Sequence, residues 1–398
     1  MTTQASAPPS TKSQALRSYD VADFPALTGL EEEWRFTPLK RLRGLAGDGS
    51  RSLRGASRAE LESSGEPQAT TGTVRHEYGD LPEGVTIGRI GMDDVRVGSV
   101  LTPADRVSAL AYGAADQALL LQVASDAVVS APVSLRVVGD GGEGLAFGHT
   151  FVEVGRFAEA TLVLEHVGSA TLADNVEVSV ADGAKLTLVT VADWAADAVQ
   201  AQHLKIKLGR DAKVIHIQVS LGGDLVRQFT SVEYTGRGGE AELYGVYFAD
   251  SGQHLEHRQL VDHTVADCRS YVGYRGALQG ESAHTVWVGD VLIRAEATGT
   301  DTYEINRNLL LTDGARADSV PNLEIETGEI AGAGHASATG RFDDEQLFYL
   351  MARGIPESEA RRLVVRGFFA ELINKIPVES LRERLGDAIE ARLTKAGA

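Results

Sequence analysis

The chain has 398 residues, 56 acidic and 38 basic, giving a formal net charge of −18. This length allows about two or three domains and a large core. The acidity argues against nucleic acid, whose phosphates need clustered Lys and Arg, and against an anionic membrane surface. Cys268 is the single cysteine, which excludes an intramolecular disulfide and a self-contained Cys-ligated zinc or iron–sulfur centre. No apolar run approaches the ~20 residues that span a bilayer. The polar start MTTQASAPPSTKSQ lacks the apolar stretch of a secretion signal, so a cytoplasmic protein is expected.

Residues 1–15 are rich in Ser, Thr, Ala and Pro and predict a disordered arm. Residues 16–125 read as an N-terminal mixed helical region. Within it, residues 27–34 predict a short helix with the acidic run Glu31, Glu32, Glu33. Residues 34–39, WRFTPL, predict an extended segment ended by proline geometry. Residues 46–72 are polar and show no period. Residues 85–90 alternate and predict a strand. Over residues 103–123, Val107, Leu110, Ala111, Ala114, Ala118 and Leu121 recur at helical spacing. They predict a helix with Thr102 as N-cap and Pro103 at its first position.

From residue 126 the pattern changes to short alternating runs rich in Val, Ile, Leu and Thr, separated by Gly, Asp and Asn turns. A small-residue turn precedes several runs, and its alanines, 160, 184, 212 and 241, stand 24, 28 and 29 residues apart. Residues 313–316 carry a fainter copy. This spacing fits one coil of a β-solenoid, with two or three strands and their turns. A sandwich or barrel also makes short strands, but has no need of such a repeat. The fold class expected is therefore mainly β, a parallel β-helix over residues 126–332 between helical regions.

Residues 333–398 read as a C-terminal helical domain. A short helix follows the acids Asp343, Asp344 and Glu345, which suit the positive end of a helix dipole. A longer helix runs from Pro356 to Pro377, with an apolar stripe of Ala360, Leu363, Val364, Phe368, Leu372, Ile373 and Ile376. A final helix carries Leu381, Leu385, Ile389 and Leu393. Such a domain can cap the open edges of the last coil or dock a partner.

Few residues carry recognisable chemistry. His335, between Gly334 and Ala336, is sterically uncrowded, and neutral imidazole is a good ligand for iron or zinc. The plainer reading is a surface histidine. His254, His257 and His263 cluster in HLEHRQLVDH, but strand positions three apart face opposite sides, so His254 and His257 cannot chelate together. Solvated polar residues on a strand explain them more simply. Cys268 next to Arg269 reads either as a reactive thiol or as a small hydrophobe. Residues 141–144, GGEG, lack the Lys-Ser/Thr of a phosphate-binding loop, and there is no GxSxG or GxGxxG. The pattern favours a scaffold. The enzyme alternative is a β-helix polysaccharide lyase or hydrolase, which needs clustered carboxylates on a solenoid face.

The segments FYLMARGI (348–355), ARRL (360–363) and GF (367–368) resemble the C-terminal signature of the SufB/SufD family of iron–sulfur cluster assembly proteins. NLLL (308–311), PNLEI (321–325), GHASATG (334–340) and WRFTPL (34–39) are similar to the same family. The resemblance implies a right-handed parallel β-helix. SufB members carry a cysteine where this chain has Ala317, so the chain resembles the SufD branch, with a SufB-like scaffold paralogue as the alternative. His335 falls on the family histidine implicated in cluster formation at the SufB–SufD interface. A cysteine common two residues before that histidine is here Ala333. The implied partners are a SufB paralogue, in a heterodimer, and the ATPase SufC, docked through the C-terminal helices. Phe348, Tyr349, Arg353, Arg362, Arg366, Phe368 and Phe369 are the docking residues this suggests. ATP-driven SufC dimerisation would then open the SufB–SufD interface. The isolated chain is expected to catalyse nothing and to hold no cofactor tightly, sharing iron or an iron–sulfur cluster transiently with SufB. The resemblance also allows a homodimer in isolation, and iron acquisition with reduced flavin bound to the complex; no local motif places the flavin.

Overall fold

The computed structural model describes residues 12, 15–47, 73–342 and 344–395. Most of the expected arm, residues 48–72 and Asp343 lie outside the described residues. The elements are β1 (Val74–Tyr78), β2 (Val85–Gly91), α1 (Arg106–Ala114), β3 (Gln117–Val123), β4 (Val133–Val154) and β5 (Glu159–Val180). There follow β6 (Lys185–Trp194), β7 (Val199–Leu208), β8 (Lys213–Ser220), β9 (Leu225–Tyr234), β10 (Glu240–Ala249) and β11 (His254–His263). The last strands are β12 (Arg269–Leu278), β13 (His284–Ile293), β14 (Asp301–Leu310), β15 (Arg316–Ile325) and β16 (Gly332–Arg341). Three helices end the chain: α2 (Asp344–Met351), α3 (Glu357–Ile373) and α4 (Glu379–Lys395).

The strands form a parallel β-solenoid of about eight turns. β5 turns a corner and belongs to both faces. From it, β6, β8, β10, β12, β14 and β16 stack in parallel on one face, and β7, β9, β11, β13 and β15 on the other. Inward side chains alternate with outward ones, as the strand period requires. The lumen is filled by residues such as Leu186, Leu204, Val232, Leu243, Val272 and Trp287.

One corner explains the sequence repeat. Phe157, Gly183, Asp211, Gly238, Asp267 and Gly299 all have positive φ, one per coil. The next residue is buried and small: Ala158, Ala184, Ala212, Gly239, Cys268 and Thr300. Its carbonyl accepts from the following coil, as in Lys213 N to Ala184 O (2.9 Å) and Asp301 N to Cys268 O (3.2 Å). The sequence reading aligned this repeat correctly at Ala184 and Ala212. Ala160 and Ala241 instead sit two residues further on, in register with Leu186 and Val214. Both kinds of position point inward, so a two-residue slip preserves the pattern. Residues 313–316 belong to the opposite corner, where Gly314 has φ +82°.

The flanking regions depart from expectation in three places. The helix expected over 103–123 is only α1, and residues 117–123 are strand β3. The N-cap is Asp105, which accepts from Ser108 N at 2.7 Å. The ALLLQV run is buried on both faces, and such a run fits either period. Residues 27–34 form turns rather than a helix, and a short 3-10 turn, Leu39–Leu42, stands within or just after the expected extended segment. Trp34 fixes this segment by burying its ring. The solenoid also runs past the boundary placed at 332, because β16 extends to Arg341.

Helices α3 and α4 lie against the side of the solenoid. Val365, Phe369 and Leu372 of α3, with Leu381, Leu385, Ile389 and Leu393 of α4, pack on outward Val189, Val191, Ile217, Val219, Val246 and Phe248. Each such burial contributes about 1.5–3 kcal/mol, so these two helices are fixed to the side of the solenoid. Arg275 adds a bond to Phe368 O at 2.6 Å. The expected stripe is buried at both ends, at Ala360, Leu372 and Ile376, but its middle, in α3, is shifted by one residue: Val365 and Phe369 are buried, while Leu363 is exposed. A Trp34–Leu42–Leu45 cluster covers the other face over Ala173, Val199 and Leu225.

Candidate functional site

The C-terminal mouth of the solenoid is where sequence and structure converge. Along β14, Thr302, Glu304, Asn306 and Asn308 are buried, while Asp301, Tyr303 and Arg307 are exposed. The next rung, β16, sets His335 opposite Glu304, Ser337 opposite Asn306 and Thr339 opposite Asn308. His335 therefore points into the lumen, but no further described rung covers it, and its side chain is 44% exposed. On β15, Ala317 and Leu323 pack against the lumen core. Ala317 thus opens on the same mouth as His335. β15 pairs only with β13, and β16 only with β14, among the described residues. Each offers an unpaired edge, and Pro321 in β15 is tolerated there because an edge strand can spare an N–H.

Beneath His335 lies Glu304, whose side chain is 1% exposed. Neither carboxylate oxygen has a hydrogen-bond partner among the described residues. Burial, and then the charge of Asp290, push its pKa up to about 8. The nearest imidazole atom is His335 Nδ1, 3.9 Å from Oε1. A Cβ at Gly289 would collide with Glu304 Oε2 and the Trp287 ring, so glycine makes room for both. Sequence reading missed Glu304. Its signal is an acidic residue at an inward position of TYEINRN, visible only once the strand phase is known.

The other histidines are placed differently. All of β11 is buried, so the expected solvated face is absent: the segment around Trp34 covers it. His257 and His263 point into the lumen, stacked on Tyr247 (4.7 Å) and Tyr234 (4.8 Å). Burial lowers both pKa values to about 3, so both rings are neutral. His254 faces outward, as period two requires, with Nδ1 3.1 Å from His284 Nδ1; His284 Nε2 is 2.7 Å from Asp318. Cys268 is a corner residue, and burial raises its pKa, which makes it a small hydrophobe rather than an activated thiol.

The candidate docking residues divide. Phe348 is 74% exposed on α2, and Tyr349 is exposed beside it with Arg353 stacked 4.4 Å over its ring. Arg362 pairs with Glu359, and Arg366 with Glu390 at 3.1 Å. Phe369 is core, and its ring is not free for a partner, while Phe368 is half-buried against the same cluster.

A family model for the SUF system FeS cluster assembly SufBD core domain matches residues 137–368. The iron–sulfur cluster assembly SufBD family protein of Mycobacterium tuberculosis is 54% identical over 388 residues, covering 96% of this chain and 93% of that protein. The iron–sulfur cluster assembly protein SufD of Bacillus subtilis is 27% identical over 331 residues, 81% and 72% of the two chains. Its Escherichia coli counterpart, also SufD, is 28% identical over 191 residues, 48% and 45%. The matched core spans the coils from β4 through the His335 mouth and into α3. By its solenoid, by its mouth and by these matches, the chain belongs to the SufB/SufD family of iron–sulfur cluster assembly proteins.

Proposed function

We propose that the chain is a non-catalytic scaffold subunit of iron–sulfur cluster assembly, in the place of SufD. It pairs through the mouth of its solenoid with a SufB-type paralogue, and His335 supplies a ligand to the iron or cluster held between them. The observation that carries this reading is His335 itself, aimed into a lumen whose last rung is left uncovered. Two adjacent unpaired strand edges suit pairing with another solenoid. Ala317 at the same mouth supports a SufD-type over a SufB-type role, since no thiol is available there. The exposed pair Phe348 and Tyr349 on α2, with Arg353 over the Tyr349 ring, is the docking face for a SufC-type ATPase, and Arg362 and Arg366 on α3 belong to the same reading. Iron acquisition, with flavin bound by the complex, belongs to the same reading.

The test is co-expression with the SufB- and SufC-type partners. His335→Ala is expected to leave the complex assembled and to cut its iron and acid-labile sulfide at least tenfold. Normal cluster content would overturn the ligand role. Phe348→Asp is expected to weaken retention of the ATPase at least tenfold without loss of folding, because the ring touches no core. Unchanged retention would move the docking face off α2.

A further inference from the structure

Resting on the reading of His335 as a ligand, we propose that Glu304 is its positioning residue: the carboxylate accepts Nδ1–H from inside the lumen and turns the Nε2 lone pair out of the mouth. Glu304 sits one rung behind His335 on the same inward row. It is buried, and neither acceptor oxygen has a well-formed hydrogen bond among the described residues, although the Asn322 backbone N–H stands near enough to lower its pKa. An unpartnered carboxylate in such a place is costly unless a donor reaches it.

The Asn306 and Asn308 amides are already committed, whereas Trp287 Nε1 and Gln259 Nε2, further along the lumen, have no partner among the described residues. Asn306 Nδ2 donates to Tyr247 Oη (2.8 Å), and Asn308 Nδ2 to Asn306 Oδ1 (2.7 Å). Of the side-chain donors on the adjoining rung, His335 Nδ1 is 3.9 Å from the carboxyl group, beside the Asn322 backbone N–H, and its half-exposed ring can close to the ~2.9 Å of a hydrogen bond. Gly289 keeps the space clear, since a Cβ there would strike Oε2. A neutral imidazole carries its proton on one nitrogen only. An acceptor at Nδ1 selects the tautomer whose Nε2 is bare, and a carboxylate behind a ligating histidine has this effect in metal sites. The lumen thus holds the orienting group and the mouth presents the ligating atom.

The full chain labelled with 15N-histidine tests this at pH 9, where imidazoles are neutral. Two-bond proton–nitrogen correlations report each ring's tautomer, and the signal lost in His335→Ala identifies His335. The expected wild-type state is Nδ1–H. Glu304→Leu is expected to shift it to Nε2–H, and Glu304→Gln, whose amide oxygen still accepts, to retain Nδ1–H. An unchanged tautomer in Glu304→Leu overturns the proposal whatever the cluster does. In the co-expressed complex, Glu304→Leu is expected to lower cluster content about tenfold. A tautomer shift with full cluster content overturns the role in assembly. If instead His335→Ala keeps its cluster, the ligand reading fails, while the tautomer still decides whether Glu304 orients the ring. Circular dichroism of Glu304→Leu should show the wild-type strand content, so that a tautomer change reads the carboxyl group and not the fold.

Discussion

Arg227→Met is expected to cost the isolated chain about 3–5 kcal/mol of folding stability, the range for removing one partner of a buried ion pair. Arg227 lies almost fully inside, its guanidinium 3.7 Å over the Trp34 ring. It reaches Glu256 at 3.2 Å, Asp105 at 3.6 Å and the Glu33 carbonyl at 3.0 Å. It therefore ties the N-cap of α1 and the Trp34 turn to strands β9 and β11. Methionine fills similar volume, so the loss reads the charge and not a cavity. What it leaves behind is Glu256, wholly buried beside His254 and Arg258.

Acid sharpens the test. Burial alone would raise the Glu256 pKa, but Arg227, then the His254 bond and Arg258, outweigh it and hold the group near 2. A carboxylate depressed in the folded state stabilises fully above its unfolded value of about 4.5, and that stabilisation is lost as pH falls from there towards 2. Wild-type stability should therefore fall steeply across this window. Arg227→Met should start lower at pH 7 and fall less. Urea unfolding at pH 7 and pH 3 measures both. A loss under about 1 kcal/mol with an unchanged acid slope would show that Arg258 and His254 suffice.

Gly276→Ala is expected to cost about 3 kcal/mol, the upper range for overpacking a dense core. In the lumen Gly276 lies in register with Tyr247, and Gly245 with Tyr274. A Cβ at either glycine would run into the facing ring. The rings cannot swing aside cheaply. Tyr247 Oη donates to Asn308 Oδ1 at 2.7 Å and accepts from Asn306, and Tyr274 Oη donates to Gln218 Oε1 at 2.9 Å. Replacing glycine also restricts the unfolded chain, which returns less than about 1 kcal/mol. Denaturant unfolding of Gly276→Ala, Tyr247→Leu and the double variant should show a coupling above about 1 kcal/mol. Strict additivity would mean that the ring and the glycine do not meet.

The solenoid was legible because its corner repeats small residues at near-constant spacing, and because inward positions alternate. Register was less so, since a two-residue slip at Ala160 or Ala241 keeps every side chain on its face. The β3 strand was misread as helix because Leu119, Leu120 and Leu121 are buried on both sides and carry no phase. His335 was found through a motif, but Glu304 was not, because its meaning comes from the rung above it and not from its neighbours in sequence. The split of the docking residues was hidden for a similar reason: Phe368 and Phe369 differ by one helical step, and only packing on the sheet shows that Phe369 is the core residue.

The placement of the helices has a mechanical consequence. Only residues 342 and 343 separate Arg341, the last residue of the His335 strand, from the start of α2. Among the described residues, that strand is laddered along one edge alone. A sideways tug on α2 would therefore load β16 as a zip fastener is loaded, one bond at a time from Arg341 backwards, whereas the inner coils, bonded above and below, would share the strain. His335 rides on the part of the solenoid that gives way first.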